Sequence, residues 1–372
     1  MGRVRARDGI EIELSTGDVV VADAGRPAGD VNVLSHAHGD HLYDELPAGD
    51  GDGGDDDGGN DDAAGNGDGL VCSALTARLA EARRPDGGSV PRIDHPFVEQ
   101  VPAGHVAGSR ATVVTDPGDG TRYCYTGDVS TRDRFFLDGF DPGTVDADVL
   151  VIETTYGDSD YVFPEQAAEE RALVDWLDDE YDRPAFLFGY ALGRAQELEL
   201  LVGRSGRDRL FTTDAVARLN EVIADYVDVG AGGGTADGSG TVGRGADDTP
   251  SSFGAERFDT DVDLGPGDVV VFPSSLNNAN WVERLRESVD ALTVGASGWA
   301  VDTAYRFRGD YDETFVLSDH CDFTELVEIV GTIDPDRVYT QHGFADAFAS
   351  HLVSLGYEAR SLVRDQTALD DF

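Results

Sequence analysis

The chain has 372 residues, 40% of them hydrophobic, and three scattered cysteines, Cys72, Cys124 and Cys321; it is long enough to bury a core, and its thiols suggest neither a disulfide framework nor a zinc ribbon. Asp and Glu number 73 against 28 basic residues, every one an Arg, for a net charge of −45, which excludes steering of a polyanion by a basic surface. Such a surface is expected of a halophilic protein, because at about 1 M salt the Debye length falls to about 3 Å and self-repulsion fades.

From the N-terminus, MGRVRARDGIEIEL lacks an apolar signal region, and no later run approaches the length of a membrane span; a cytoplasmic protein that makes no membrane contact is expected. The apolar runs Val19–Ala22 and Val31–Ser35 read as strands. Segment 48–69 is almost wholly Gly, Asp, Asn and Ala, and segment 230–254 is rich in Gly, Ser and Thr; both are expected to be flexible, solvated insertions. Strands are expected next at Ala111–Thr115, Arg122–Thr126 and Val149–Ile152.

After Pro164 the texture changes. Ala168, Ala172, Leu173, Trp176 and Leu177 share one helix face, and Pro164 suits the helix start. Strands at Ala185–Phe188, Arg209–Thr212, Val269–Phe272 and Leu292–Gly295 then alternate with helices at Gly193–Val202, Asp214–Val227 and Asn280–Ser288, the signature of a mostly parallel sheet. Late strands are expected at Thr314–Leu317, Arg337–Thr340 and Glu358–Val363.

Three of the eight histidines fall within six residues, in His36-Ala37-His38-Gly39-Asp40-His41, directly after an apolar run. At a strand end, residues i and i+2 face the same side, so His36 and His38 can share one ion, while the turn through Gly39 swings Asp40 and His41 toward a second. Imidazole with carboxylate suits Zn²⁺ and related metals, and such a cluster is a poor core filler. Further ligands are offered by His105 in GHVAGS, Asp128 in TGD and His342 in QHG.

HAHGDH, GHVAGS, TGD and QHG, in this order, resemble the successive metal-binding motifs of metallo-β-lactamase-fold hydrolases. IETTYG, FGYALGRAQELELL and LSDHCDF resemble the additional motifs of the β-CASP nucleases. YALGRAQEL, ASGW and FVLSDHCDF are most similar to the archaeal mRNA 3′-end processing factor and ligase-associated DNA exonuclease branch. The resemblance implies an α/β fold, an αββα sandwich of residues 1–163 and 313–372 with an α/β cap inserted at 164–312. It implies two divalent metal ions, Zn²⁺ by preference, one held by His36, His38, His105 and Asp128 and the other by Asp40, His41, Asp128 and His342. Asp23 would orient a ligand imidazole. His320 would donate a proton to the leaving oxygen with Glu153 as its partner, and Asp40 would belong to the catalytic set. Ser109, Arg194 and Ser318 would touch substrate phosphate. His95 and His351 fall outside every motif.

The implied substrate is single-stranded RNA, ahead of single-stranded DNA in repair, with a small-molecule (thio)ester hydrolase of the same fold as the rival. A homo-oligomer, or a complex with a DNA ligase or an RNA-processing assembly, is the implied partnership.

Overall fold

Arg3–Ala6 (β1) and Ile10–Glu13 (β2) alternate charged and apolar residues, so one face can be buried while the other stays wet. They open a computed structural model that describes residues 2–43, 69–84, 88–227 and 253–362. The insertions expected at 48–69 and 230–254 lie outside the described residues but for Gly69, Phe253 and Gly254.

The chain continues through β3 (Val19–Ala22), β4 (Val31–Val33), β5 (Leu70–Val71), α1 (Ala74–Arg83), β6 (Val98–Pro102), β7 (Arg110–Thr115), β8 (Arg122–Tyr125) and β9 (Val149–Glu153). Then come α2 (Gln166–Asp179), β10 (Ala185–Gly189), α3 (Arg194–Val202), β11 (Arg209–Thr212), α4 (Asp214–Ala224), β12 (Glu256–Arg257) and β13 (Asp268–Pro273). The last elements are α5 (Asn280–Val289), β14 (Leu292–Ala296), α6 (Ala304–Gly309), β15 (Glu313–Phe315), α7 (Phe323–Ile333), β16 (Arg337–Gln341), α8 (Ala345–Leu355) and β17 (Ala359–Ser361).

Two compact units result. The first comprises Met1–Arg132, Asp138–Asp158 and Phe323–Phe372, and the second Asp133–Leu137 and Ser159–Asp322. In the first unit, one sheet has the order β1-β2-β3-β4-β5 and another the order β17-β16-β9-β8-β7-β6. Ile12, Val20 and Val33 of one sheet share a core with Val114, Tyr123, Val151 and Tyr339 of the other. The sheets are therefore packed face to face. Helix α8 covers β16 and β17, and the buried Leu326, Ile329 and Val330 give α7 its inner face.

The second unit has one sheet, β12-β11-β13-β10-β14-β15, with every pair parallel. Both faces are covered. Ala185 and Leu187 pack with Leu173, Leu198 and Val216 of α2, α3 and α4, while Phe186 and Phe188 pack on the other side with Val282 of α5. A strand buried on both faces has no polar alternation, which is why these strands read as continuous apolar runs. The mixed α/β class holds. Residues 313–322, expected with the last part of the first unit, belong instead to the second, because β15 is hydrogen-bonded to β14 at that sheet's edge. Among the described residues no helix is long and apolar enough to cross a membrane.

Candidate metal centre

The site lies in the first unit, where β4 ends and the chain turns through Ser35–His41. His36 and His105 are fully buried, and His41 and Asp128 nearly so. Asp128 is the point of convergence. Its Oδ2 is 3.5 Å from His36 Nε2, 3.6 Å from His105 Nε2 and 3.7 Å from His41 Nε2, and its Oδ1 is 3.9 Å from His342 Nδ1. His38 Nδ1 faces His105 Nε2 at 3.1 Å.

These separations test whether the residues fit a metal. Three imidazole nitrogens aimed at one carboxylate oxygen at 3.5–3.7 Å are too distant for hydrogen bonds. Two donors each about 2.0–2.1 Å from one tetrahedral ion stand about 3.4 Å apart. Asp128 Oδ1 is buried without a hydrogen-bond partner among the described residues, a costly arrangement unless a cation satisfies it. The donors form two sets that share Asp128: His36, His38, His105 and Asp128, then His41, Asp128 and His342. The residues fit divalent ions.

Asp23 fixes the ring orientations. Its Oδ2 accepts from Ser35 Oγ at 2.5 Å, from Tyr125 Oη at 2.7 Å and from His41 Nδ1 at 3.1 Å, and its Oδ1 accepts from Ser35 N at 2.8 Å. An ionised carboxylate only accepts, so His41 carries a proton on Nδ1, the tautomer that would offer Nε2 to a metal ion. Ser35 gives its one proton to Asp23, so its oxygen accepts from His36 Nδ1 at 2.8 Å, which fixes the same tautomer there. Burial alone would raise the Asp23 carboxyl, but its hydrogen bonds with His41 and Ser35 outweigh that and hold it below the ordinary range. Burial pulls the His41 imidazole down, and Asp128, Asp23 and Asp40 overcome it, pushing its pKa up to about 10. The pocket attracts positive charge, and a metal ion would compete there with the proton.

Backbone strain also serves the site. Asp23 and His342 are non-glycine residues at positive φ, 52° and 59°. Gly343 follows at φ 51°, where a Cβ would stand 2.4 Å from the Thr154 carbonyl oxygen, so only glycine fits. Thr154 Oγ1 donates to the carbonyl of His342 at 2.6 Å. Glu153 is fully buried and accepts from Val129 N at 3.3 Å and Thr155 N at 2.7 Å, which ties down the residue after Asp128.

Several expected contacts fall elsewhere. Asp40 is not gathered into either set: its carboxylate is 82% exposed and stands 3.9 Å from His41 Nε2. It lines a cavity of about 300 Å³ with Asp23, His41, Tyr125 and His342. Ser109 is buried, and its Oγ accepts from Val106 N at 3.2 Å, closing the turn that carries His105. Arg194 is buried in the second unit and paired with Glu197, so its guanidinium serves an internal network and not a phosphate at the surface. Arg134 joins Glu197 at 2.6 Å, and Asp319 lies 3.7 Å from Arg194. Ser318 is buried, with its Oγ accepting from His320 N at 3.0 Å, and therefore shapes the loop that bears His320. His95 packs on Phe97, and His351 on Phe323. Sequence reasoning misses Ser35, Tyr125 and Thr154; the available signals are the positions of the first two beside HAHGDH and TGD and of the third within IETTYG.

No family model matches the chain. A "Probable DNA ligase" of Opitutus terrae is 28% identical over 349 residues, 89% of this chain and 28% of that protein. Two proteins of Methanocaldococcus jannaschii match shorter stretches. An "RNase J-like protein" is 30% identical over 34% of this chain and 31% of its own length, and a "Probable RNase MJ4" is 32% identical over 33% and 29%. The matched stretches thus span under a third of each curated relative. A crystal structure of a protein of unknown function from Enterococcus faecalis V583 superposes with a TM-score of 0.57 at 15% identity, covering 98% of both chains, which shows a shared fold.

Proposed function

We propose that this chain is a metal-dependent nuclease of the metallo-β-lactamase and β-CASP kind, hydrolysing phosphodiester bonds in single-stranded nucleic acid. The observation that carries the proposal is the convergence of five histidines on Asp128 in two sets that share that carboxylate. The names of the relatives support a nucleic-acid substrate: two are called RNases, which favours RNA. Trimming of DNA is the second reading, favoured by the relative named as a DNA ligase, whose match runs along 89% of this chain.

His36, His38, His105, Asp128, His41 and His342 would hold divalent ions, with Zn²⁺ suited to the donor set, and such ions would supply Lewis acidity and lower the pKa of water to near neutral pH. The chain itself supplies orientation. Asp23 holds the His41 proton on Nδ1, and Ser35 holds that of His36. Glu153 keeps the Asp128 turn in place through Val129. The departing sugar oxygen needs a proton, and we assign it to the imidazole of His320, whose loop is fastened by Ser318.

Such general-acid steps contribute about 10²–10⁴-fold, so His320→Ala should lower turnover by that order while metal content is unchanged. Loss of bound metal in the variant, seen by elemental analysis, would move His320 among the ligands and refute the assignment.

A further inference from the structure

The second unit holds a cavity that the metal chemistry does not use. In its parallel sheet, β13 flanks β10 on one side and β14 on the other, so loops leave the C-terminal ends of three adjacent strands close together. Ligands of open α/β sheets collect at that edge. Here a cavity of about 290 Å³ is walled by Tyr190 after β10, Asn277 and Asn278 after β13, Trp299 after β14, and Tyr305 of α6.

We propose that this crevice is a stacking site for an unpaired nucleobase of the single-stranded nucleic acid that the chain cuts. The inference rests on the nuclease reading above. Tyr190 is 54% exposed, a high value for an aromatic ring. Trp299 stands edge-on to Tyr161 at 5.2 Å, and Tyr305 leans on Tyr311 at 5.5 Å, so the other two rings are braced before any ligand arrives. Asn277 donates from Nδ2 to the Gly309 carbonyl at 2.9 Å, which fixes its amide in the cavity wall. Asn278 is exposed and adds both a donor and an acceptor. Flat rings with amide groups at their edges match the face and the edge of a base. The one cation of the lining, Arg308, is engaged by Asp302 at 3.2 Å.

The charge balance points the same way. At −45 the chain has little cationic surface with which to hold phosphates, and phosphate binding weakens steeply with salt. Stacking of bases on aromatic rings is tolerant of sequence and needs no counterion release. A chain of this composition can hold a strand by its bases.

The test uses the full metal-loaded chain with ten-nucleotide RNA and DNA substrates and, separately, bis(p-nitrophenyl) phosphate. Tyr190→Ala and Trp299→Ala should each raise KM for the oligonucleotide about 10-fold, and Trp299→Phe should restore most of that loss. Hydrolysis of the small diester should be unchanged, and the KM ratio of variant to wild type should be the same in dilute and in molar KCl. Tyr190→Ala guards against misfolding, since its ring is on the surface. Unchanged KM in both alanine variants, with the wild type cutting the oligonucleotide, would overturn the stacking site and leave the nuclease reading intact. A wild type that cleaves the small diester and neither polymer would overturn both.

Discussion

Asp23 carries more of the site than a single residue in a turn suggests. Three donors meet on its Oδ2 and a fourth on Oδ1, and two of the four come from Ser35, which in turn fixes His36. Asp23→Asn keeps the volume but removes the charge and turns half of the acceptor into a donor, so the proton on His41 Nδ1 is no longer held. Partners of this kind typically govern metal affinity by about 10–100-fold; the variant is expected to bind Zn²⁺ that much more weakly, measured by competition with a chromogenic chelator. Unchanged affinity would mean that His41 is oriented by something other than Asp23. At this scale the histidine motif was legible because its spacing has few structural explanations. Ser35, Tyr125 and Thr154 were not, since a lone hydroxyl in a strand or turn carries no pattern until its partner 12, 102 or 188 residues away is known.

Helix α3 shows how an element can mislead. Arg194 follows a glycine at the helix start, a position where an arginine invites assignment to an anion, yet Glu197 one turn on takes its guanidinium. The i,i+3 spacing is visible in the sequence, whereas Arg134, which completes the buried pair from 63 residues away, is not. The same helix buries Glu199, and burial pushes its carboxyl up to about 8 against its hydrogen bond from Asn220. Above the unfolded value of 4.5 the unfolded chain has released this proton while the native protein keeps it. Stability contributed at this residue therefore falls as pH rises from 4.5 to about 8 and is constant beyond. Glu199→Gln should flatten that part of the thermal-unfolding profile and raise Tm relative to wild type above pH 8; an unaltered profile would show that Glu199 ionises normally. Among whole elements, β10, β13 and β14 were legible as apolar runs. Helix α7 was missed because FTELVEIVGTI is rich in β-branched residues, and tertiary packing of Leu326, Ile329 and Val330 overrides that propensity.

Across the whole molecule the dominant physical fact is the charge of −45. Segment 48–69 holds only eight of the 73 acidic residues, so the excess is spread over the rest of the chain. Self-repulsion between exposed carboxylates is screened as salt rises, and Tm is expected to climb as KCl is raised from about 0.1 M to molar concentrations, where the Debye length is about 3 Å. A Tm that is flat or falls over that range would contradict a salt-adapted surface. Composition alone makes the charge excess legible. It carried no information on the two compact units, which depend on where β15 adds to a sheet.

The most direct test is to load the chain with Zn²⁺, quantify bound metal, and follow cleavage of matched 5′-labelled single-stranded RNA and DNA in molar KCl beside Asp128→Asn. The account predicts bound metal and strand cleavage in the wild type, and loss of both in the variant that removes the shared carboxylate. Stoichiometric metal with no cleavage of either polymer, or cleavage that survives Asp128→Asn, would contradict it.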